Sequence, residues 1–76
     1  MNEKIYKLTN NFSKNLKTER LSNNLTQKQM AEKIGIKTQS YQAYEAGLTL
    51  PTTENLLKIC LILNVSLDYL FDYTLN

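Results

Sequence analysis

Two glutamines, Gln39 and Gln42, are the side chains of this sequence best suited to recognise another molecule. Each carboxamide carries a hydrogen-bond donor beside an acceptor, which complements N7 and N6 of adenine. If residues 38–46 form a helix, a spacing of three brings both amides to neighbouring positions on its surface. On an ordinary surface helix the same two side chains would simply face solvent. The choice between these interpretations depends on the elements that position them.

Catalytic and metal-binding groups are scarce. The sequence has no histidine, no glycine-rich phosphate loop and no cluster of metal ligands, and its single cysteine, Cys60, lies in an apolar run. One cysteine cannot form an internal disulfide, and Cys60 is expected to be a small buried core residue rather than a reactive thiol. We therefore expect neither an enzyme nor a protein that holds a metal or a cofactor.

Residues 27–47, QKQMAEKIGIKTQSYQAYEAG, predict two short helices that cross. Apolar residues recur at helical spacing on both sides of Gly35, which supplies the positive φ that a tight turn needs. Ala31 falls where the helices approach most closely, since a larger side chain would hold them apart. The later of these two helices ends at Gly47. It buries Tyr41 and Tyr44, which leaves its polar residues outside. This is the pattern of a helix-turn-helix.

The predicted first helix starts near Asn11, after a partly ordered arm, and ends near Asn23. An earlier start at Glu3 stays open, because apolar residues recur at helical spacing from Ile5 onward. The domain organisation is therefore an arm or helix extension over residues 1–10, followed by one domain over residues 11–76.

Capping residues mark where three of the helices begin. Thr26 and Gln29 form a capping box that opens the second helix, Thr52 caps a fourth helix, and Ser66 caps a short fifth helix. The apolar stripe of the fourth helix is predicted to comprise Leu56, Leu57, Ile59, Cys60, Leu61 and Leu63. The fold class is all-α, with five helices, because no sustained alternation of apolar and polar residues indicates a strand.

Charge is distributed unevenly along the 76 residues, whose net charge is +2. Residues 1–35 carry seven Lys or Arg against three Glu, whereas residues 36–76 carry two Lys against four acidic residues. One end of the molecule is therefore positive, which favours an anionic partner more than the net charge does. The longest apolar run is too short to span a membrane, and no signal-peptide pattern opens the chain, so we expect a cytoplasmic protein.

From Leu16 to Phe71 the sequence resembles the lambda-repressor-like, Xre/Cro-type helix-turn-helix DNA-binding family. The resemblance lies in LTQKQMAEKIGI, in the YEAG that closes the third helix, in Pro51 and in the ending LNVSLDYLF. It implies a five-helix domain that binds operator DNA, usually as a symmetric dimer. Members often pair an Arg near the end of the first helix with a Glu at the end of the third. Here those residues are Arg20 and Glu45, and we expect a bidentate bridge.

The resemblance also implies which residues contact double-stranded DNA. The residues expected at base edges are Thr38, Gln39, Gln42 and Ala43. The residues expected at phosphates are Gln27, Lys28, Lys37, Ser40 and Thr49. Two departures weaken these contacts, because many members carry a longer polar residue at position 43 and a basic residue in the loop 47–51.

Apolar and aromatic residues crowd the carboxyl end. We expect Leu67, Tyr69, Leu70 and Tyr73 to contribute to a two-fold interface, although some of them, Leu67 and Leu70 first, are expected to be core residues instead. The predicted function is a sequence-specific transcriptional regulator, a repressor that binds a palindromic operator as a homodimer. The alternative is an antitoxin or another protein-binding module that captures a protein partner through this apolar surface.

Overall fold

The computed structural model describes residues 2–73, and the predicted set of five helices is confirmed. In chain order they are α1 (Glu3–Ser22), α2 (Gln27–Ile34), α3 (Thr38–Glu45), α4 (Thr53–Leu63) and α5 (Leu67–Phe71). No strand occurs between residues 2 and 73. The all-α fold class is therefore correct, and short connections join all five helices.

The start of α1 was predicted wrongly. The helix begins at Glu3, because the Asn2 side chain caps it by accepting a 2.8 Å hydrogen bond from the backbone N–H of Lys4. Thr9, which suggested a cap near Asn11, lies inside the helix and donates its hydroxyl to the carbonyl of Tyr6 at 2.8 Å. Residues 3–10 thus extend α1 instead of forming a loose arm.

The predicted caps of α2, α4 and α5 are confirmed. The Thr26 hydroxyl accepts from the backbone N–H of Gln29 at 3.0 Å, and the Gln29 side chain accepts from the Thr26 backbone at 2.9 Å. The hydroxyls of Thr52 and Ser66 cap α4 and α5 by accepting from the backbone N–H groups of Asn55 and Tyr69. Gly35 ends α2 with a φ of +90°, and a Cβ there would meet nothing within 4 Å, so backbone conformation alone favours glycine.

The core lies where α1 crosses α3 and α5 and where α2 packs on α3. Its buried side chains are Phe12, Leu16, Met30, Ala31, Ile34, Tyr41, Tyr44, Ile59, Leu63 and Leu70. Phe12 stacks on Phe71 with ring centroids 5.1 Å apart, which joins α1 to the end of α5. The predicted stripe of α4 was too wide, because Leu57 and Leu61 lie on its outer side with 50% and 82% of their surface exposed.

Two asparagines of α1 hold α5 in place. The Asn15 amide donates to the carbonyls of Tyr69 at 3.0 Å and Leu70 at 3.1 Å, and the Asn11 amide donates to the carbonyl of Phe71 at 3.1 Å. A five-residue helix is too short to be stable by itself. These bonds satisfy its last carbonyls and fix its position against α1.

Candidate nucleic-acid interface

α3 exposes several polar side chains on the side away from its buried tyrosines. Tyr41 is fully buried and Tyr44 is 7% exposed, so the intervening positions face outward. Gln39 and Gln42 are exposed, whereas Thr38 and Ala43 are half-buried. The four residues predicted to read bases therefore differ in access, and the two amides are the more accessible pair.

Most residues predicted to contact phosphates are exposed. These are Lys28, Lys37, Ser40 and Thr49. At the start of α2, the backbone N–H of Met30 donates to the carbonyl of Thr26 at 3.0 Å, so the N–H groups of residues 27 and 28 precede the intrahelical ladder. They form the positive end of the helix dipole.

A buried ion pair fixes the end of α3. Arg20 Nε donates to Glu45 Oε2 at 2.6 Å and Arg20 Nη2 donates to Glu45 Oε1 at 3.0 Å, with side-chain exposures of 9% and 4%. Arg20 Nη1 also donates to the carbonyl of Leu25 at 2.8 Å. The structure thus contains the bridge expected from the resemblance, and one guanidinium joins α1, the turn before α2 and the end of α3.

Glu45 receives two further hydrogen bonds. The Tyr41 hydroxyl donates to Oε2, and Gln27 Nε2 donates to Oε1 at 3.2 Å. Burial raises the pKa of Glu45, but the hydrogen bonds from Arg20, Tyr41 and Gln27 outweigh it and hold that pKa below its ordinary value. Burial, together with the bond to Glu45, raises the pKa of Tyr41 above its ordinary value. The carboxylate is therefore ionised and the phenol neutral at neutral pH.

Gln27 also contacts α3 directly. Its Oε1 accepts a hydrogen bond from Nε2 of Gln42 at 3.2 Å. The sequence singled out both glutamines but did not predict that they bond to each other. Gln27 is half-buried, and its amide is engaged at both ends within the protein.

Ser13 positions α3 and was not identified from the sequence. It is 8% exposed, and its hydroxyl lies within hydrogen-bonding distance of the Tyr44 carbonyl, 3.0 Å away, at the end of α3. A Cβ on Gly47, whose φ is +74°, would come within 3.4 Å of the same hydroxyl oxygen. The available signal was a small hydroxyl residue directly after Phe12, among the three polar residues that separate Phe12 from Leu16 in α1.

The four residues of the predicted carboxyl-terminal interface differ in exposure. Leu67, Tyr69 and Tyr73 have 40%, 42% and 47% of their surface exposed. Leu70 is fully buried, as expected of a core residue, whereas Leu67, which was expected with it in the core, is exposed. The Glu19 carboxylate near the Tyr69 hydroxyl raises the pKa of that phenol above its ordinary value.

Residues 2–73 contain neither a metal-binding cluster nor a membrane-spanning helix. No group of three or more His, Cys, Asp or Glu side chains there could hold a metal ion. No helix in the same part of the chain combines the length and the apolar character that crossing a membrane requires.

Known proteins resemble this chain over most of its length. The Helix-turn-helix family model matches residues 16–70. The uncharacterised HTH-type transcriptional regulator YqaE of Bacillus subtilis is 51% identical over 59 residues, which cover 78% of this chain and 51% of YqaE. The cryptic phage CTXphi transcriptional repressor RstR of Vibrio cholerae is 53% identical over 57 residues, 68% of this chain and 51% of RstR.

A third relative, the HTH-type transcriptional regulator ImmR of Bacillus subtilis, is 41% identical over 59 residues, which cover 78% of this chain and 46% of ImmR. The chain thus spans about half the length of these relatives. No solved structure matches it significantly.

Proposed function

Because the chain belongs to the lambda-repressor-like, Xre/Cro-type helix-turn-helix family, we propose that it is a sequence-specific DNA-binding transcriptional regulator that acts as a repressor. The observation that carries the proposal is the rigid mounting of α3. The buried pair of Arg20 with Glu45 fixes its carboxyl end, while the amides of Gln39 and Gln42 remain exposed on its outer side. A helix held in this way can enter the major groove without losing its orientation.

Gln39 and Gln42 read the bases in this proposal. A glutamine amide pairs bidentately with N6 and N7 of adenine, and α3 carries no arginine for the commonest guanine contact. Thr38 and Ala43, which are half-buried, contribute apolar contact with a thymine methyl. We therefore expect an operator whose specific positions are A·T pairs.

Phosphates are held beside this helix. The phosphate-binding side chains are exposed and come from α2, α3 and the segments that flank α3: Lys28, Lys37, Ser40 and Thr49. The amino terminus of α2 adds free backbone N–H groups. These contacts fix the register on the duplex and make the affinity depend on salt. DNA binding would place the protein in the cytoplasm.

The exposed apolar residues Leu67, Tyr69 and Tyr73 support a homodimer. Burying them against a second copy removes apolar area from water, which favours association. A two-fold dimer presents its two copies of α3 about 34 Å apart, one turn of DNA, so the operator is palindromic.

The same apolar residues favour one alternative, in which the domain is an antitoxin or a protein-binding module and Leu67, Tyr69 and Tyr73 contact a different protein. Copurification of a stoichiometric partner that blocks dimer formation would support it. Antitoxins that also bind DNA would satisfy both accounts.

Selection of binding sites from a random duplex library tests the proposal. The purified protein is incubated with the library at moderate salt, and the bound duplexes are sequenced. We expect a two-fold symmetric site with adenines at its specific positions. Enrichment of no sequence above background would contradict the proposed function and favour a protein partner.

A further inference from the structure

We propose that Gln27 is a positioning residue that holds the carboxamide of Gln42 in one orientation for base reading, and that Glu45 sets this orientation. The proposal rests on the proposed function, because it assigns a role within the DNA-reading surface. It assigns to the Gln27 side chain a role inside the protein that differs from the expected phosphate contact.

The carboxylate of Glu45 fixes the orientation of the Gln27 carboxamide. An ionised carboxylate accepts hydrogen bonds and donates none. Arg20 holds both of its oxygens, with distances of 2.6 and 3.0 Å, and only 4% of the Glu45 side chain is exposed. The group that Gln27 turns toward Oε1, 3.2 Å away, must therefore be its NH2 and not its carbonyl oxygen.

The orientation of the Gln27 amide in turn determines which of its two groups faces α3. With its NH2 directed to Glu45, its Oε1 is the end that faces Gln42, at 3.2 Å from Nε2. An oxygen acceptor selects the NH2 side of the second amide. Reversing either carboxamide would bring two acceptors or two donors together, so the three residues define one direction for the whole chain of bonds.

Gln42 then reaches the surface with its amide already oriented. One N–H is bonded to Gln27, which leaves Oε1 and the second N–H for a base edge. This donor and acceptor suit N7 and N6 of adenine. Because the side chain is held before binding, less rotamer freedom is lost on contact with DNA.

Gln39 provides a matched comparison within the same helix. It is an exposed glutamine of α3, and its side chain makes no hydrogen bond within residues 2–73. If a protein contact orients Gln42, the two amides should differ in mobility although they have the same chemistry.

The first measurement needs no DNA. Side-chain ¹⁵N relaxation by NMR should show the Gln42 amide to be more ordered than the Gln39 amide in the wild-type protein. Gln27→Met keeps the length of the side chain but removes its amide, and it should make Gln42 as mobile as Gln39. Equal mobility of the two amides in the wild-type protein, or an unchanged Gln42 in the variant, would overturn the proposal.

The second measurement uses the duplex selected by the wild-type protein and its single-base variants. Gln42→Ala should reduce the preference at one position of each half-site by about tenfold. Gln27→Met should reduce the preference at that same position, by about threefold or more, and should add nothing in the Gln42→Ala background. Its effect should persist undiminished in the Gln39→Ala background.

Two further outcomes distinguish a failure of the positioning role of Gln27 from a failure of the proposed DNA-binding function. If Gln27→Met weakens binding to all duplexes equally and does so in every background, Gln27 only contacts phosphate and the positioning role is wrong. If the wild-type protein selects no duplex, the proposed function fails, while the mobility of the Gln42 amide still decides whether Gln27 orients it.

Discussion

At Glu45, four hydrogen bonds converge on one carboxylate: two from Arg20, one from Tyr41 and one from Gln27. A carboxylate that is taken out of water must replace its hydration with such donors, or its burial is unfavourable. The arrangement satisfies both oxygens and joins residues of α1, α2 and α3. The stability of the domain and the orientation of the proposed reading helix therefore depend on the same group.

Replacing Arg20 with Met should be strongly destabilising, because it leaves Glu45 buried without its cation. We expect a loss of about 3–5 kcal/mol in the free energy of unfolding, measured by urea denaturation. The double variant Arg20→Met/Glu45→Met should recover part of this loss. Lys17→Met, which removes an exposed charge from α1, should change the free energy by less than about 0.5 kcal/mol. A loss below about 1 kcal/mol for Arg20→Met would mean that the pair behaves as a solvated surface pair.

Stability should fall in acid because the pKa of Glu45 is lower in the folded protein than its ordinary value of 4.5. The unfolded chain binds the proton more tightly, so this contribution is complete above pH 4.5 and is lost as the pH falls through the folded-state pKa. Glu45→Gln should flatten the dependence of the unfolding free energy on pH in this window. Glu32→Gln removes an exposed carboxylate and controls for the change in net charge. Identical slopes for the two variants would contradict the prediction.

At the scale of elements, short helices are placed by side chains from a long one. Asn11 and Asn15 of α1 bind the last carbonyls of α5, and Ser13 lies against the Tyr44 carbonyl near the end of α3. Such bonds let helices of five and eight residues keep fixed positions although they are too short to be stable alone.

Asn15→Ala should loosen α5 without unfolding the domain. It removes two hydrogen bonds to the helix, which contribute about 1–2 kcal/mol together. Amide hydrogen exchange of residues 67–71 should accelerate by about tenfold, while exchange in α2 and α3 changes little. Lys14→Ala, at the neighbouring exposed position, is the control. Uniform acceleration throughout the protein would indicate global destabilisation instead.

The sequence predicted those features that local chemistry determines. The capping box at Thr26 and the left-handed glycine at Gly35 depend on neighbouring residues, and both are present. The favoured start of α1, near Asn11, was wrong. The cap at Asn2 outweighs the helix-breaking tendency of Thr9 and the asparagines after it.

Apart from the bridge between Arg20 and Glu45, which the family resemblance implied, contacts between distant residues could not be predicted without coordinates. The bond between Gln27 and Gln42 depends on how α2 and α3 cross, which periodicity does not specify. For the same reason the sequence could not distinguish Leu57 and Leu61, which face outward, from the buried Leu63. Leu67, which was expected in the core together with Leu70, is 40% exposed, whereas Leu70 is fully buried.

At the scale of the whole molecule, the proposed reading surface and the proposed dimer surface lie on different elements. The exposed amides of Gln39 and Gln42 lie on α3, and three exposed apolar side chains, Leu67, Tyr69 and Tyr73, lie on and just after α5. The first surface suits a nucleic acid and the second suits a protein. A dimer formed through the second would leave the first available to DNA, which is the arrangement that the proposed function requires.

Leu67→Glu should weaken dimer formation by about tenfold or more. Burying the new carboxylate at the interface is unfavourable, whereas within the monomer it lies in the first turn of α5, where the helix dipole tolerates it. Sedimentation equilibrium at tens of micromolar measures the change. Leu57→Glu, on the outer side of α4, is the matched control and should leave the dimer intact. A wild-type protein that remains monomeric at high micromolar concentration would refute the dimer.

The central claim, that α3 is the reading helix on a scaffold of the other four, is tested most directly by NMR. ¹⁵N-labelled protein is titrated with the selected duplex and, as a control, with a duplex of the same composition in scrambled order. We expect the largest shift differences between the two complexes at residues 38–43 and at the amino terminus of α2. Differences confined to residues 67–73, with α3 unaffected, would contradict the account.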